Sequence, residues 1–466
     1  MENRIEKNQH YELTIIDMGS EGEGIGKIND FTVFIPQAVT GDVAEVRIVK
    51  VKKSYGYGKL IRLITPSPFR VTPICEVSHT CGGCQLQQMD YGAQLAWKTK
   101  KVKDCLTRIG GLKDIEVLDT LGMEEPYHYR NKAQYPIRKI EGKVQTGFFA
   151  SRSHKLIPLE TCYIQDPKKE IVMKAVLDFL DKYQISIYDE EKHLGLVRHL
   201  MIKTGYHTEE MMVCLVINGH KLPHAEEFVE TLKAVAPITS IILNHHTAKG
   251  NTVLGKECTV LEGKETIIDY IGDLKFKISP LSFFQVNPQQ TEVLYKKALE
   301  YAELTGEEVV WDAYCGIGSI SLFLAQKAKK VYGVEIVPEA IENAKENAAL
   351  NGITNVEFYT GKAEEIIPQM YQEGIVADTI VVDPPRKGCD EALLETLVQM
   401  SPSKIVYVSC DPATLARDLA YLVAQGYKVE KVQPVDMFPQ TVHVETVVKL
   451  CKGKIMPYNI NTQLKL

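Results

Sequence analysis

Nowhere in the chain is there an apolar run approaching the ~18 residues that a helix needs to cross a bilayer, so no membrane span is expected. The first ten residues, MENRIEKNQH, lack the basic patch and apolar stretch of a secretory leader, and the expectation is a cytoplasmic protein. Regular cysteine spacing is missing too: the 11 cysteines are odd in number and scattered, which excludes a disulfide framework. Metal ligation, chemistry and packing remain as their roles. No internal repeat or low-complexity tract occurs, and no heptad pattern or long exposed apolar helix stands out, so a monomer is expected.

What is present is ordinary globular composition, 466 residues with 45% apolar and 24% charged, enough for two or three domains. The formal charge of -6 argues against a simple polyanion binder, yet the charge is uneven along the chain. Arg47 to Arg70 holds seven Lys or Arg and no Asp or Glu, with Tyr55 and Tyr57 between the charges, a pattern suited to phosphate contact and base stacking as well as to a solvated barrel face. Two further basic stretches, Lys98 to Lys113 and Arg130 to Lys155, make nucleic acid the expected partner.

Short β-branched and aromatic runs at Tyr11 to Ile16, Phe31 to Ile35, Val43 to Val51 and Gly58 to Ile64 predict a small antiparallel barrel. Glycines from Gly19 to Gly26, and Thr40-Gly41-Asp42, read as its turns. Pro66, Pro68 and Pro73 mark a linker, and Lys98 to Lys113 reads as a helix stopped by Gly110-Gly111. The middle of the chain mixes helix-like and strand-like segments without a chemical motif. From about residue 277, strands and helices alternate, which implies a mostly parallel, doubly wound sheet. The expected division is a barrel over 1–66, a central α+β domain over 67–276 and an α/β domain over 277–466, with a helix at about 90–112 able to pack on the last.

The chemistry concentrates in that last part. Asp312-Ala-Tyr-Cys-Gly-Ile-Gly318 closes a strand with a glycine-bearing turn, and Glu335 follows at the end of the next strand, where a carboxylate can accept ribose hydroxyls. Ser321 occupies the place of a third glycine in the dinucleotide fingerprint, which favours S-adenosylmethionine over NAD. Asp383, in Asp-Pro-Pro-Arg386, ends another strand and can meet either cofactor or target base. Cys410 follows Val-Tyr-Val-Ser409, and Glu445 lies in His443-Val-Glu445. Carbon 5 of a pyrimidine becomes nucleophilic only after a thiolate adds at carbon 6, and its hydrogen must later leave to a base, so this thiol and carboxylate suit pyrimidine C5 methylation. Separately, Cys75, Cys81 and Cys84 are dense enough to imply a metal. Their spacing leaves zinc and iron-sulfur both open, and Cys162 is the nearest plausible fourth ligand if Cys105 is packed in its helix.

Ser279-Pro-Leu-Ser-Phe-Phe-Gln-Val-Asn-Pro288, Asp312 to Gly318, Asp383-Pro-Pro-Arg386, Val408-Ser-Cys-Asp-Pro412 and His443-Val-Glu445 resemble, in order and spacing, the RNA uracil-5-methyltransferase family. The N-terminal barrel resembles the TRAM domain of the branch acting on 23S ribosomal RNA. That resemblance implies a Rossmann-like methyltransferase domain, an OB-like TRAM barrel and a central domain with a 4Fe-4S cluster rather than zinc. It implies Cys410 as nucleophile, Glu445 as base, and Gln285, Tyr314, Glu335 and Asp383 around S-adenosylmethionine. It also places the cluster on Cys75, Cys81, Cys84 and Cys162, and names ribosomal RNA as substrate. Transfer RNA, cytosine C5 methylation and a non-catalytic ribosome-assembly module are the competing readings. Cytosine-specific enzymes want a cysteine where Pro385 stands, and Cys389 lies further on.

Overall fold

The computed structural model describes residues 5–453; the outermost residues of the expected first and last domains, 1–4 and 454–466, lie outside it. Two compact units emerge. The first comprises the described parts of Met1–Lys101 with Asp119–Val293 and Val435–Val444. The second comprises Val102–Leu118, Leu294–Pro434 and the described part of Glu445–Leu466.

The first unit begins with a closed five-stranded barrel of β1 (His10–Met18), β2 (Gly24–Ile28), β3 (Phe31–Ile35), β4 (Val43–Val51) and β5 (Tyr55–Thr65), in the order β1-β2-β3-β5-β4. Strict alternation drives it: Ala44, Val46 and Ile48 of β4 point inward beside Leu13, Ile15, Val33 and Ile35. Each such aliphatic burial stabilises by about 1.5–3 kcal/mol. β2 occupies residues expected to be turn. Gly26 is a strand residue because a Cβ there would lie 2.3 Å from Leu13, so its glycine serves close packing rather than chain reversal. One end of the barrel is tied by Asp42. Burial alone would raise its pKa, but Arg70 (Nη2 to Oδ2, 2.5 Å) and the backbone N–H groups of Ser67 and Val39 more than offset this and hold it below the usual carboxylate range.

A seven-stranded sheet follows in the same unit: β6 (Lys132–Ile140), β7 (Lys143–Phe149), β8 (Leu156–Pro158), β9 (Val197–Thr204), β10 (Met211–Ile217), β11 (Ser240–His245) and β12 (Glu257–Gly263), ordered β12-β11-β10-β9-β6-β7-β8. β10 reads MMVCLVI and is buried throughout. Its Val213, Leu215 and Ile217 pack with Val172, Val176 and Phe179 of the helix Lys168–Lys182 and with Phe228 and Leu232 of Ala225–Lys233. A hairpin of β13 (Ile267–Ile271) and β14 (Leu274–Ile278) completes its strands.

The second unit carries the doubly wound sheet, β15 (Val309–Asp312), β16 (Lys330–Glu335), β17 (Val356–Thr360), β18 (Thr379–Val382), β19 (Lys404–Ser409), β20 (Tyr427–Val435) and β21 (Glu445–Lys452). The order is β17-β16-β15-β18-β19-β21-β20; β15 to β19 pair parallel to their neighbours in this group, and β21 runs antiparallel to β19. The first strand of this series thus sits mid-sheet, and the order reverses beside it, the place where open α/β sheets bind ligands at their carboxyl edge.

The helix expected over Lys98 to Lys113 spans Tyr91–Arg108. Its start lies where the expected 90–112 span begins, fixed by Asp90, which accepts the N–H of Ala93 (3.0 Å), an N-cap. It stops because Gly111 takes φ 67 and Leu112 N–H turns back to the carbonyl of Leu106. Among the described residues no helix is long and apolar enough to cross a membrane.

Candidate active site and cysteine cavity

At the carboxyl edge of the second unit, Asp312 ends β15 fully buried. Ser321 Oγ donates to its Oδ2 at 2.6 Å, so the residue standing where a dinucleotide fingerprint has glycine instead anchors this carboxylate. Burial pushes the Asp312 pKa up to about 6, against those hydrogen bonds. The turn that follows needs glycine twice. Gly318 has φ 82, and a Cβ there would press on Ala344 and Phe358 at 3.1 Å. Gly316, at φ 54, would meet nothing within 4 Å, leaving the backbone open to a ligand. Glu335 ends β16 and accepts from Gly316 N–H (3.3 Å) and Val337 N–H (2.9 Å), which sets one strand-end carboxylate against the glycine turn. Tyr314 is half-buried in that turn, its N–H directed to Asp312 Oδ1 at 3.4 Å.

Three strands along, β19 and β21 pair with Ser409 opposite Thr446, so Cys410 and Glu445 are the next positions on two neighbouring strands. Asp383 follows β18, which pairs with β19 on its other side. Cys410 is locked between a strand and a capped helix. Ser409 Oγ donates to the carbonyl of Asp411, and Asp411 accepts from Ala413 and Thr414 N–H at 2.9 and 3.1 Å, with Pro412 opening the helix Pro412–Ala424. Burial, then the Glu445 and Asp383 carboxyls, push the Cys410 thiol up to about 12, while exposed Arg386 opposes them. Glu445 is raised by burial and then by Asp383, again against Arg386; Asp383 is raised by burial and then by Asp312. Neighbouring buried carboxyls do not all ionise together. Burial and the neighbouring carboxyls therefore favour the protonated thiol, and the Glu445 and Asp383 carboxyls beside it are held above their ordinary range.

Cys389, the other cysteine near the Asp-Pro-Pro loop, is different. It is buried, its N–H donates to Asp418 at 2.9 Å, and Asp418 also accepts from Tyr407 OH at 2.6 Å. It packs the loop onto the helix behind it.

Asp312, Ser321 and Arg386 lie within motifs legible in the sequence, where residue type alone assigned them no such role. An acid closing the buried strand Val309–Asp312 is the signal that could have singled out the first. Gln285 belongs to the first unit, where it is half-buried and its carbonyl accepts from Asn131 Nδ2 at 3.0 Å. Its loop is pinned by Lys203, which donates to the carbonyls of Ser279 (2.7 Å) and Ser282 (2.9 Å) and whose pKa burial pulls down to about 7.

Cys75, Cys81, Cys84 and Cys162 are all thiols, none of them in a disulfide. Cys75, Cys81, Cys84 and Cys162 line one cavity of about 230 Å³ in the first unit, together with Arg130 and Lys132 and no acidic residue. Burial pushes Cys84 up to about 12 and Cys162 up to about 11, and the neighbouring thiols add to both shifts. Gly82 lets their loop lie against residues 149–151, since a Cβ would sit 3.0 Å from backbone there. Among the described residues no three His, Cys, Asp or Glu side chains are gathered as the ligands of one ion. Four thiols around one cavity, with Arg130 and Lys132 beside them, are an all-sulfur donor set of the kind that both zinc and iron-sulfur groups take.

The comparisons with known proteins agree with this geometry. A family model described as tRNA (Uracil-5-)-methyltransferase matches residues 90–453, and a TRAM domain model matches residues 4–61. An uncharacterized RNA methyltransferase of Clostridium tetani is 58% identical over 445 residues, covering 95% of this chain and 96% of that protein. Another from Bacillus cereus is 51% identical, covering 96% and 98%. Among solved structures, the Pyrococcus abyssi tRNA (uracil-54, C5)-methyltransferase in complex with S-adenosyl-L-homocysteine superposes with a TM-score of 0.75 at 28% identity, covering 94% of this chain and 100% of its own.

Proposed function

The chain belongs to the S-adenosylmethionine-dependent RNA uracil-5-methyltransferase family, and we propose that it methylates carbon 5 of uridine in 23S ribosomal RNA, with Cys410 as nucleophile and Glu445 as the proton-removing base. The observation that carries the two roles is the β19–β21 pairing, which delivers thiol and carboxylate side by side next to Asp383.

S-adenosylmethionine supplies an electrophilic methyl group. Tyr314, Glu335 and Asp383 are the proposed holders in the second unit; Gln285 is carried over from the family motif and is tested separately by the cofactor affinity of Gln285→Ala. The Cys410 thiol loses its proton to solvent, and the thiolate forms a bond to carbon 6 as the C5=C6 electron pair moves onto the carbon 4 carbonyl as an enolate. Carbon 5 of that enolate takes the methyl group as the S–CH3 bond of the sulfonium breaks, its electron pair returning to sulfur so that S-adenosylhomocysteine leaves. Glu445 then removes the carbon 5 proton, the freed C–H pair restores the C5=C6 bond, and the bond to sulfur breaks to return the thiolate. Arg386 lies close enough to favour the ionised forms of both side chains electrostatically.

The four-cysteine cavity is proposed to hold a 4Fe-4S cluster on Cys75, Cys81, Cys84 and Cys162. With all ligand positions taken by thiolates, such a group has a structural part. The proposed division of labour is RNA capture by residues 1–66, cluster support over 67–276 and chemistry over 277–466. TRAM barrel and cysteine cavity together support ribosomal RNA. Transfer RNA is the second reading, favoured by the likeness to the Pyrococcus abyssi tRNA (uracil-54, C5)-methyltransferase, which matches along its whole length.

Mapping 5-methyluridine in total RNA from a deletion strain separates the two. Loss from 23S ribosomal RNA is expected, and loss from transfer RNA alone overturns the substrate assignment. Cys410→Ala should abolish the covalent adduct with 5-fluorouridine RNA while RNA binding persists; an adduct that still forms removes Cys410 as nucleophile.

A further inference from the structure

Gln440 lies in the stretch joining β20 to β21, five residues before Glu445. It is 2% exposed and takes φ 69, a left-handed backbone that residues with side chains seldom adopt. Four hydrogen bonds keep it there. Its N–H donates to Gln94 Oε1 (3.1 Å), its Oε1 accepts from Gln94 Nε2 (2.9 Å), and its carbonyl accepts from the N–H groups of Gln85 and Leu86 (3.0 Å each). Gln94, 1% exposed, is itself fixed by donating to the carbonyls of Leu86 and Met89. Just upstream, Asp436 accepts from Lys98 Nζ at 2.5 Å, and both side chains are fully buried.

This stretch has no strand neighbours to set its course, so side chains do it. A chain reversal alone would be served better by glycine, which takes φ 69 without strain. The side chain retained at 440 adds one hydrogen bond, its Oε1 accepting from Gln94 Nε2, to those made by the residue's own backbone, and backbone held in a sparsely populated region by over-determined contacts is common where a nearby group must be placed accurately.

We propose that Gln440 and Gln94 are positioning residues for the proton-removal step: they set where β21 begins and so where the Glu445 carboxyl is presented. This rests on the reading of Glu445 as base. It predicts a defect confined to one step, after the methyl group has been transferred. Gln85 and Leu86 follow Cys84 directly, so the same backbone bonds tie the cysteine loop to this stretch.

The test uses the full-length protein with Gln440→Gly, which keeps the backbone conformation, and Gln94→Met, which keeps the volume. Single-turnover reactions follow carbon-14 methyl entering RNA and tritium leaving uridine carbon 5, alongside melting temperature and S-adenosylhomocysteine affinity. Methyl entry should proceed at the parental rate, whereas tritium release should slow by about 10- to 100-fold, the loss typical of a misplaced group. A covalent enzyme–RNA species should accumulate, and kcat and KM should fall together with kcat/KM unchanged. Variants with parental melting temperature and ligand affinity in which both steps slow in parallel, or neither slows, overturn the proposal. Should Gln94→Met fail to fold, Gln440→Gly decides alone, and should that also fail, the role is one of stability and the proposal falls. Glu445→Gln in the same assay separates the two ideas: tritium release at the parental rate removes the base itself, while stalling there alone removes only the positioning.

Discussion

Replacing Glu445 by glutamine keeps the shape of a 5% exposed side chain and removes its charge and basicity. Three consequences follow with different signs. General base catalysis contributes about 100- to 10,000-fold, so proton removal should slow by that factor and the enzyme should methylate once and stay trapped on its RNA. The thiol should respond oppositely. After burial, the Glu445 carboxyl is the largest influence holding the Cys410 thiol up at about 12, so Glu445→Gln should lower the thiol pKa and speed its alkylation at a fixed pH near 8. Stability should rise as well. Because the native pKa of Glu445 lies above its ordinary 4.5, the folded state binds more protons than the unfolded chain above that pH. Its contribution to stability is therefore intact at low pH and lost as pH rises through the native pKa. Each displaced unit is worth about 1.4 kcal/mol. With the native pKa displaced from 4.5 to about 8, the glutamine variant should gain at most about 5 kcal/mol over the parent at alkaline pH and little near pH 4. Single-turnover kinetics, a pH series of iodoacetamide alkylation and thermal unfolding at two pH values measure the three effects. Normal turnover, or a thiol that becomes less reactive, would refute the reasoning.

Other expectations are independent of that variant. Single-turnover methyl entry should accelerate from about pH 6 to 9, because the Cys410 thiol is raised and acts deprotonated, and release of the carbon 5 proton should follow the same trend because the Glu445 carboxyl is raised too; a methyl-entry rate that falls over this range contradicts the assignment. Anaerobically purified protein should contain iron and sulfide with visible absorption, both lost in Cys84→Ser, and zinc without iron would exclude the cluster. Asp42→Ala leaves Arg70, 14% exposed, without its carboxylate and should cost about 3–5 kcal/mol of barrel stability in denaturant unfolding, whereas a change below about 1 kcal/mol would mean the pair is screened like a surface bridge.

Much of the fold follows from local pattern. β4 alternates from Val43 to Ile48, and β15, β18 and β19 are short apolar runs ended by Asp312, Asp383 and Cys410. Asn287 reads as a helix cap, and its Oδ1 accepts from Gln290 N–H at 3.2 Å. β2 was hidden because glycine signals a turn by its freedom and a strand by its small size, and only the opposite side chain, Leu13, tells which applies. Strands β17 and β20 and the ordering of the seven-stranded central sheet were also illegible, since pairing partners far apart in sequence decide them.

Residue type and short spacing were enough to specify which groups are available for chemistry: a thiol, a carboxylate and a glycine turn at strand ends, and four cysteines in two separated segments. Long-range pairing was needed to bring β21 in antiparallel beside β19, so that residues 410 and 445 become neighbours and the carboxyl raises the proton affinity of the thiol. Folding also buries Asp312 against Ser321 and holds Gln440 left-handed against Gln94. Register, burial and strain come from contacts between distant stretches of chain, and none of them has a signature within the stretch that bears it.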